Sequence, residues 1–265
     1  MDSTSRGTVG YLSYAKDREP QFPTNWSPYQ QSSFLVDVDQ STQSIISDLV
    51  VRTWDREPYY LGRDAAGLDR NSKISITKVE RIENRALYSA YRNAKLKLMQ
   101  DQIDKRGICT PIESLPNSGG GIQTTELLPS HFTQSLCSEI NEHYLFHGTT
   151  FDRIGGLSSG GFKINKSDQN GMVGQGIYQA EMSRKADQYA DPKHERSPDG
   201  YRLKLILSRT LLGNVTVLDR PDNYYRPTGP FNSVVANIKH KMFREFVVYE
   251  DGLVYPEYVV TYKRV

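Results

Sequence analysis

Residues 141–150, NEHYLFHGTT, decide the fold. Tyr144, Leu145 and Phe146 have the bulk and apolar character of the last residues of a buried strand. His147-Gly148-Thr149 then sets a titratable ring, a bare backbone and a hydroxyl at the strand edge. A lone histidine beside an apolar run is more often structural than functional. Its meaning has to come from the rest of the chain.

Downstream, short strand-like runs recur as GIYQ, LKLILSRTLL, REFVVYE and EYVVTYK, separated by Gly, Pro and Asp/Asn clusters. This predicts an α+β domain with a mainly antiparallel core. Neither an internal repeat nor the strand–helix alternation of a doubly wound parallel sheet is present. Upstream, STQSIISDLVVRTW places Ile45, Ile46, Leu49 and Val50 on one side of a helix, with Ser41 as its expected N-cap. Ile74 and Ile76 alternate as in a strand. A helix follows from about Arg85, capped by Asn84, with Leu87, Tyr91, Ala94 and Leu98 as its buried stripe.

Residues 1–34 are rich in Ser, Gln, Pro, Tyr and Thr, which predicts a polar N-terminal tail or linker outside the core. The domain is then expected over residues 35–265. Residues 106–130, with Pro111, Pro116 and Gly119-Gly120-Gly121, read as an insertion loop. The three glycines lack the dinucleotide-binding fingerprint and read as flexibility.

With 265 residues, 37% hydrophobic and 24% charged, the chain can build one substantial core. Its 33 basic and 31 acidic residues are interspersed, so the net charge of +2 carries no electrostatic footprint for nucleic acid. Two cysteines, Cys109 and Cys137, are too few for a disulfide framework or a cysteine-rich zinc site. No run approaches the length of a membrane span, and the first residues do not form a secretory signal. An intracellular protein, cytoplasmic or nuclear, without membrane partners is expected.

Two further segments bring chemistry to strand edges. In residues 171–190, GMVGQGIYQAEMSRKADQYA, Gly174 and Gly176 permit close backbone approach before Tyr178, and Tyr189 stands at the end of a short predicted helix. The two tyrosines either face one cleft or pack in the core. In residues 244–262, Glu245 and Glu257 each precede an aromatic-valine-valine run, and spacing alone does not distinguish them.

In this order, LFHGTT, GQGIYQAEMSRKADQY and REFVVYEDGLVYPEYVVTY resemble the His, Tyr and Glu motifs of the poly(ADP-ribose) polymerase (PARP) family catalytic domain. ITKVERIENRALYSAY resembles its first strand and helix, especially in tankyrases and their macrodomain-containing relatives. The resemblance spans residues 36–265. It implies the ADP-ribosyltransferase fold, a split, mainly antiparallel β-sheet core with flanking helices, and an enzyme that transfers ADP-ribose from NAD to protein acceptors, itself included, with release of nicotinamide. By the same resemblance His147 bonds a ribose hydroxyl of NAD, Gly148 offers its backbone to the nicotinamide carboxamide and Thr149 a hydroxyl to the sugar. Tyr178 and Tyr189 sandwich the nicotinamide ring, and Glu245 is the catalytic carboxylate of members that extend poly(ADP-ribose). His147, Tyr178 and Glu245 form the implied catalytic set. Glu257 receives a structural or surface role, and residues 163–170 correspond to a mobile donor loop.

Departures from the pattern are Ala186 where the family usually has a serine, which removes one hydrogen bond to the carboxamide, and Gln179 where it usually has Phe. The small zinc site of tankyrases cannot be rebuilt from two distant cysteines, so no metal is expected. No requirement for DNA is expected either. A silent binding module of the same fold and an NAD glycohydrolase are the alternatives.

Overall fold

The alternating apolar residues build two sheets. In a computed structural model, residues 3–28, 33–54, 73–190, 202–239 and 241–265 are described, with only the backbone for residues 3–9. The first sheet contains β1 (Leu35–Asp37), β2 (Ile74–Ile82), β3 (Glu142–Gly148), β5 (Leu203–Leu211) and β9 (Val254–Arg264), in the order β1-β2-β9-β5-β3. Each of its pairs is antiparallel. The second contains β4 (Ile177–Gln179), β6 (Val215–Leu218), β7 (Ser233–Ala236) and β8 (Glu245–Val248), in the order β4-β8-β7-β6. Here β6 and β7 run parallel, the one exception to the antiparallel expectation among the described strands.

β5 and β9 lack an exposed face over most of their length because both of their faces are covered. Ile206 and Val259 join one core cluster with Tyr88, Tyr91, Leu98 and Met99 of α3 (Arg85–Asp104). Leu205, Leu207, Tyr258 and Val260 join another with Ile46, Leu49 and Val50 of α2 (Gln40–Arg52). This two-sided burial gives the continuous apolar runs read in the sequence.

Asn84 caps α3 as expected, accepting from Leu87 N–H at 3.1 Å. Asp39, not Ser41, caps α2: its Oδ1 accepts from Thr42 N–H at 2.9 Å. A carboxylate is the stronger acceptor and also meets the positive end of the helix dipole. On α3 the stripe shifts by one position, since Tyr88, Lys95, Met99 and Gln102 are buried beside Tyr91 and Leu98, while Leu87 and Ala94 are half-buried.

The N-terminal segment corrects the expectation of a tail. Residues 3–18 form α1 (Ser3–Arg18), which packs on α3, and Leu12 and Trp26 are buried in the core. Phe22 stacks on Trp26 with centroids 5.9 Å apart, and Trp26 meets Tyr88 edge-on at 5.2 Å. Three arginines hold the following carbonyls: Arg92 donates to Glu19 O and Pro20 O, Arg81 to Asn25 O, and Arg85 to Ser27 O and Pro28 O. A few aromatics anchored by arginine thus order a stretch whose average composition is polar.

Residues 106–130 are also built into the fold. They hold a 3-10 turn, Ile112–Ser114, and α4 (Gln123–Leu127), lead into the short α5 (Ser130–Thr133), and bury Cys109, Ile112 and Ile122. The three glycines are clamped by the buried Arg244, which donates to Ser118 O at 2.6 Å, to Gly120 O at 2.8 Å and also to Gly121 O. Its Nε pairs with Glu181 Oε1 at 2.6 Å. Arg244 stands directly before β8, so one side chain fixes this loop against the strand that begins with Glu245.

Arg244→Met is expected to lower stability by about 3–5 kcal/mol, because it leaves Glu181 as a buried charge and three carbonyls unpaired. Urea unfolding checks this; a loss below about 1 kcal/mol would show that the clamp does not hold the loop.

Candidate active site

One bridge brings the two sheets together. Phe146 N–H donates to Ala180 O at 2.6 Å, and Ala180 N–H donates back to Phe146 O at 2.8 Å. The next residues on each side, His147 and Gln179, therefore lie across from one another. The ends of β3 and β4 form the floor of a cleft of about 890 Å³. His147, Gly148, Thr149, Tyr178, Tyr189 and Glu245, every site residue expected from the sequence, line it.

His147 is fixed by two contacts. Its Nδ1 lies 2.8 Å from Tyr178 O, and its ring meets Phe162 edge-on with centroids 4.9 Å apart. A carbonyl only accepts, so Nδ1 carries the hydrogen and the neutral ring presents Nε2 as an acceptor. Burial lowers the proton affinity of this imidazole; the Tyr178 carbonyl opposes the shift, and Arg153 adds to it.

Gly148 answers to packing. A Cβ there would lie 1.7 Å from Ala186 O and 2.6 Å from its carbonyl carbon, so only glycine lets α7 (Ser183–Ala190) rest on β3. α7 carries Lys185, Ala186 and Tyr189 over the cleft. Tyr178 donates to Gly174 O at 2.8 Å and accepts from Val173 N–H at 2.9 Å. Burial pushes its phenol up to about 12. Gly174 has φ +83° and crowds Tyr225 O, a backbone state that suits glycine. The phenol end is thus consumed by its own loop, which leaves the ring to face the cleft. Tyr189 is 41% exposed, and the Lys185 ammonium stands 5.6 Å from its ring centroid.

Glu245 opens β8 and is 5% exposed. Lys185 Nζ lies 3.6 Å from its Oε1, with both side chains nearly buried, and also donates to Gln188 Oε1 at 3.3 Å. Glu257 lies away from the cleft lining: it pairs with Arg209 and accepts from Tyr144 at 2.9 Å, both buried. Its role is structural. The loop expected to be mobile is tied at several points. Asp251 accepts from Ile164 N–H at 2.8 Å, and Gln175 donates to Ile164 O at 3.1 Å.

Two cleft features, Lys185 and Phe162, go unread in the sequence, and a third, Gln179, is read only as a departure from the motif. Lys185 sat inside a quoted motif without a role, although a cation is the natural companion of a buried carboxylate. Phe162, which orients His147, carried no local signal. Gln179 is 1% exposed with neither amide atom hydrogen-bonded. Among the described residues, no group of three or more His, Cys, Asp or Glu is arranged to hold a metal. Nor is any described helix long and apolar enough to cross a membrane.

A split-sheet α+β domain with His, Tyr and Glu around one cleft defines the ADP-ribosyltransferase class. The family model of the poly(ADP-ribose) polymerase catalytic domain matches residues 60–243, and the chain belongs to that family. It is also 25% identical over 246 residues to the human protein mono-ADP-ribosyltransferase PARP14, covering 91% of this chain. The chain spans 11% of that relative's length. The matched family segment ends before Glu245, so the placement of this acid rests on the cleft geometry and the motif around it.

Gln179→Met is expected to raise stability by about 1 kcal/mol, since a thioether of similar shape replaces two buried, unpaired polar atoms. A loss of 1 kcal/mol or more in urea unfolding would contradict this. Stability should also fall with acid. Burial holds His147 neutral in the fold and pushes His143 down to about 4, whereas the unfolded chain protonates both near about pH 6.5. Their contribution is whole above that value and fades as pH drops through it. His143→Gln should flatten the decline in unfolding midpoints between pH 6.5 and 4; an unchanged slope would exclude the histidine as its source.

Proposed function

We propose that the chain is an NAD-dependent ADP-ribosyltransferase that transfers ADP-ribose to protein acceptors, itself among them, and releases nicotinamide. The observation that carries this reading is the convergence of a neutral acceptor imidazole, a tyrosine ring and a buried carboxylate on one cleft. Its volume is at the upper end of the roughly 300–1,000 Å³ typical of small-molecule clefts. Family membership supports the reaction class, and the name of the human relative describes the single-unit version of it.

In this reading Nε2 of His147 accepts from a ribose hydroxyl, Thr149 adds a hydroxyl, and the Gly148 backbone pairs with the carboxamide. Tyr178 and Tyr189 hold the nicotinamide ring. Aromatic contacts of this kind contribute about 0.5–1.5 kcal/mol beyond burial. Arg153, Lys166 and Lys241 on the same cleft supply positive charge for the diphosphate.

Breaking the bond between ribose C1′ and the nicotinamide nitrogen sends its electron pair to the departing ring, which leaves neutral. Positive charge builds at C1′, and the Glu245 carboxylate stabilises it electrostatically. The acceptor oxygen then bonds to C1′ and gives up its proton, with Glu245 as the base. Lys185, 3.6 Å away, anchors the carboxylate. When the acceptor is a hydroxyl of attached ADP-ribose, the same base allows elongation to poly(ADP-ribose). No metal and no DNA enter these steps. Ala186 favours modest affinity: one missing hydrogen bond of about 0.5–1.5 kcal/mol weakens NAD binding roughly two- to tenfold.

Incubation with labelled NAD, following free nicotinamide and protein-bound label, tests the proposal beside Glu245→Gln. Label on protein that drops at least a hundredfold in the variant is expected, with gel mobility separating single units from polymer. Nicotinamide release without label would make the protein a glycohydrolase, and neither signal in a folded sample would make it a silent module.

A further inference from the structure

One wall of the cleft rests on a residue far from it in sequence. α6 (Ile154–Gly160) ends at Gly161, whose φ is +70° and whose missing Cβ leaves room for Leu87 of α3. Phe162 follows and sets its ring against His147. Arg153, Gly156, Leu157, Gly161, Phe162 and Lys163 from this segment all line the cleft. The last carbonyls of a helix lack intrahelical partners and must find donors elsewhere.

Asn84 supplies them. Its Nδ2 donates to Ser158 O and Ser159 O, each at 3.0 Å, while its Oδ1 accepts from Leu87 N–H at 3.1 Å. The side chain is buried, so no water competes for these bonds. All three bonds are satisfied by one planar amide, which sets the start of α3 and the end of α6 in a fixed relation. Asn84 N–H in turn meets Tyr255 Oη at 3.4 Å, which ties the same residue to β9.

We infer that Asn84 is a positioning residue for substrate: by holding the end of α6 it fixes the Phe162 ring that orients His147, and so sets affinity for the ribose end of NAD. Capping α3 needs only an acceptor. Many residues provide that; holding α6 at the same time needs two donors on the same side chain. Asparagine meets both demands, and aspartate meets only the first. The inference about affinity rests on the NAD reading above, whereas the inference about His147 geometry stands without it.

Asn84→Asp separates the two roles, because it keeps the α3 cap and puts a carboxylate against two carbonyls. In full-length protein, KM for NAD is expected to rise about tenfold with kcat within threefold, the effect of freeing a wall held by two hydrogen bonds of ordinary net worth. Asn84→Ser keeps the cap and retains one donor, so its KM should fall between the two; it also serves if the Asp variant does not fold. In the free protein, the ring signals of His147 and Phe162 should shift by NMR in both variants while the overall spectrum stays folded. An unchanged KM, or a loss of kcat alone, would overturn the inference about affinity. Unmoved ring signals would overturn the positioning role itself. If wild-type protein neither binds nor turns over NAD, the NAD reading fails, and the ring signals alone decide whether Asn84 positions His147.

Discussion

The site depends on two hydrogen bonds between Phe146 and Ala180. They are the bridge where the larger sheet meets the smaller one, and the cleft residues are counted from it. One residue beyond Phe146, His147 reaches the carbonyl of Tyr178. Two residues beyond, Gly148 passes beneath Ala186 closely enough to exclude any side chain. Such backbone pairing is geometrically strict. It therefore fixes the imidazole, the tyrosine ring and the helix with Lys185 and Tyr189 relative to each other without relying on flexible side chains.

Around that junction, buried charge is managed in pairs. Glu142 is pushed upward by burial, but Lys95 and Arg209 outweigh this and keep its carboxyl below the ordinary range. Glu257 is held by Arg209, Glu181 by Arg244 and Glu245 by Lys185. The first three pairs organise the scaffold. The fourth opens on the cleft, and this difference in location rather than in pairing makes Glu245 the candidate for chemistry. The Arg244 clamp lies next to it in sequence, so the loop of residues 118–121 and the start of β8 are positioned together.

Strands and their apolar runs were legible because two-sided burial writes itself into composition, and the cleft residues were legible because three motifs occur in one order. For Gly148 the motif suggests a ligand as the reason for a bare backbone, and the structure supplies a different one: the helix packed upon it forbids a side chain. The N-terminal segment departs from the expected tail because Leu12, Phe22 and Trp26 are too few to alter its polar average, and the arginines that order its backbone lie more than fifty residues away. The Gly-rich loop departs from expectation for a similar cause, because Arg244 clamps it from the far end of the chain. Long-range hydrogen bonds to main-chain carbonyls leave no periodicity to read. Asn84 shows this most clearly, being visible as a helix cap and invisible as a tie between two helices.

The central claim is that the junction holds His147 neutral, with hydrogen on Nδ1 and Nε2 offered to a nucleotide sugar. Ring ¹⁵N chemical shifts of His147 at neutral pH, before and after addition of NAD, test it most directly. The account predicts a protonated Nδ1 and a bare Nε2 whose signal moves toward the hydrogen-bonded range when NAD is added. An imidazolium, the opposite tautomer, or an Nε2 signal indifferent to saturating NAD would contradict it.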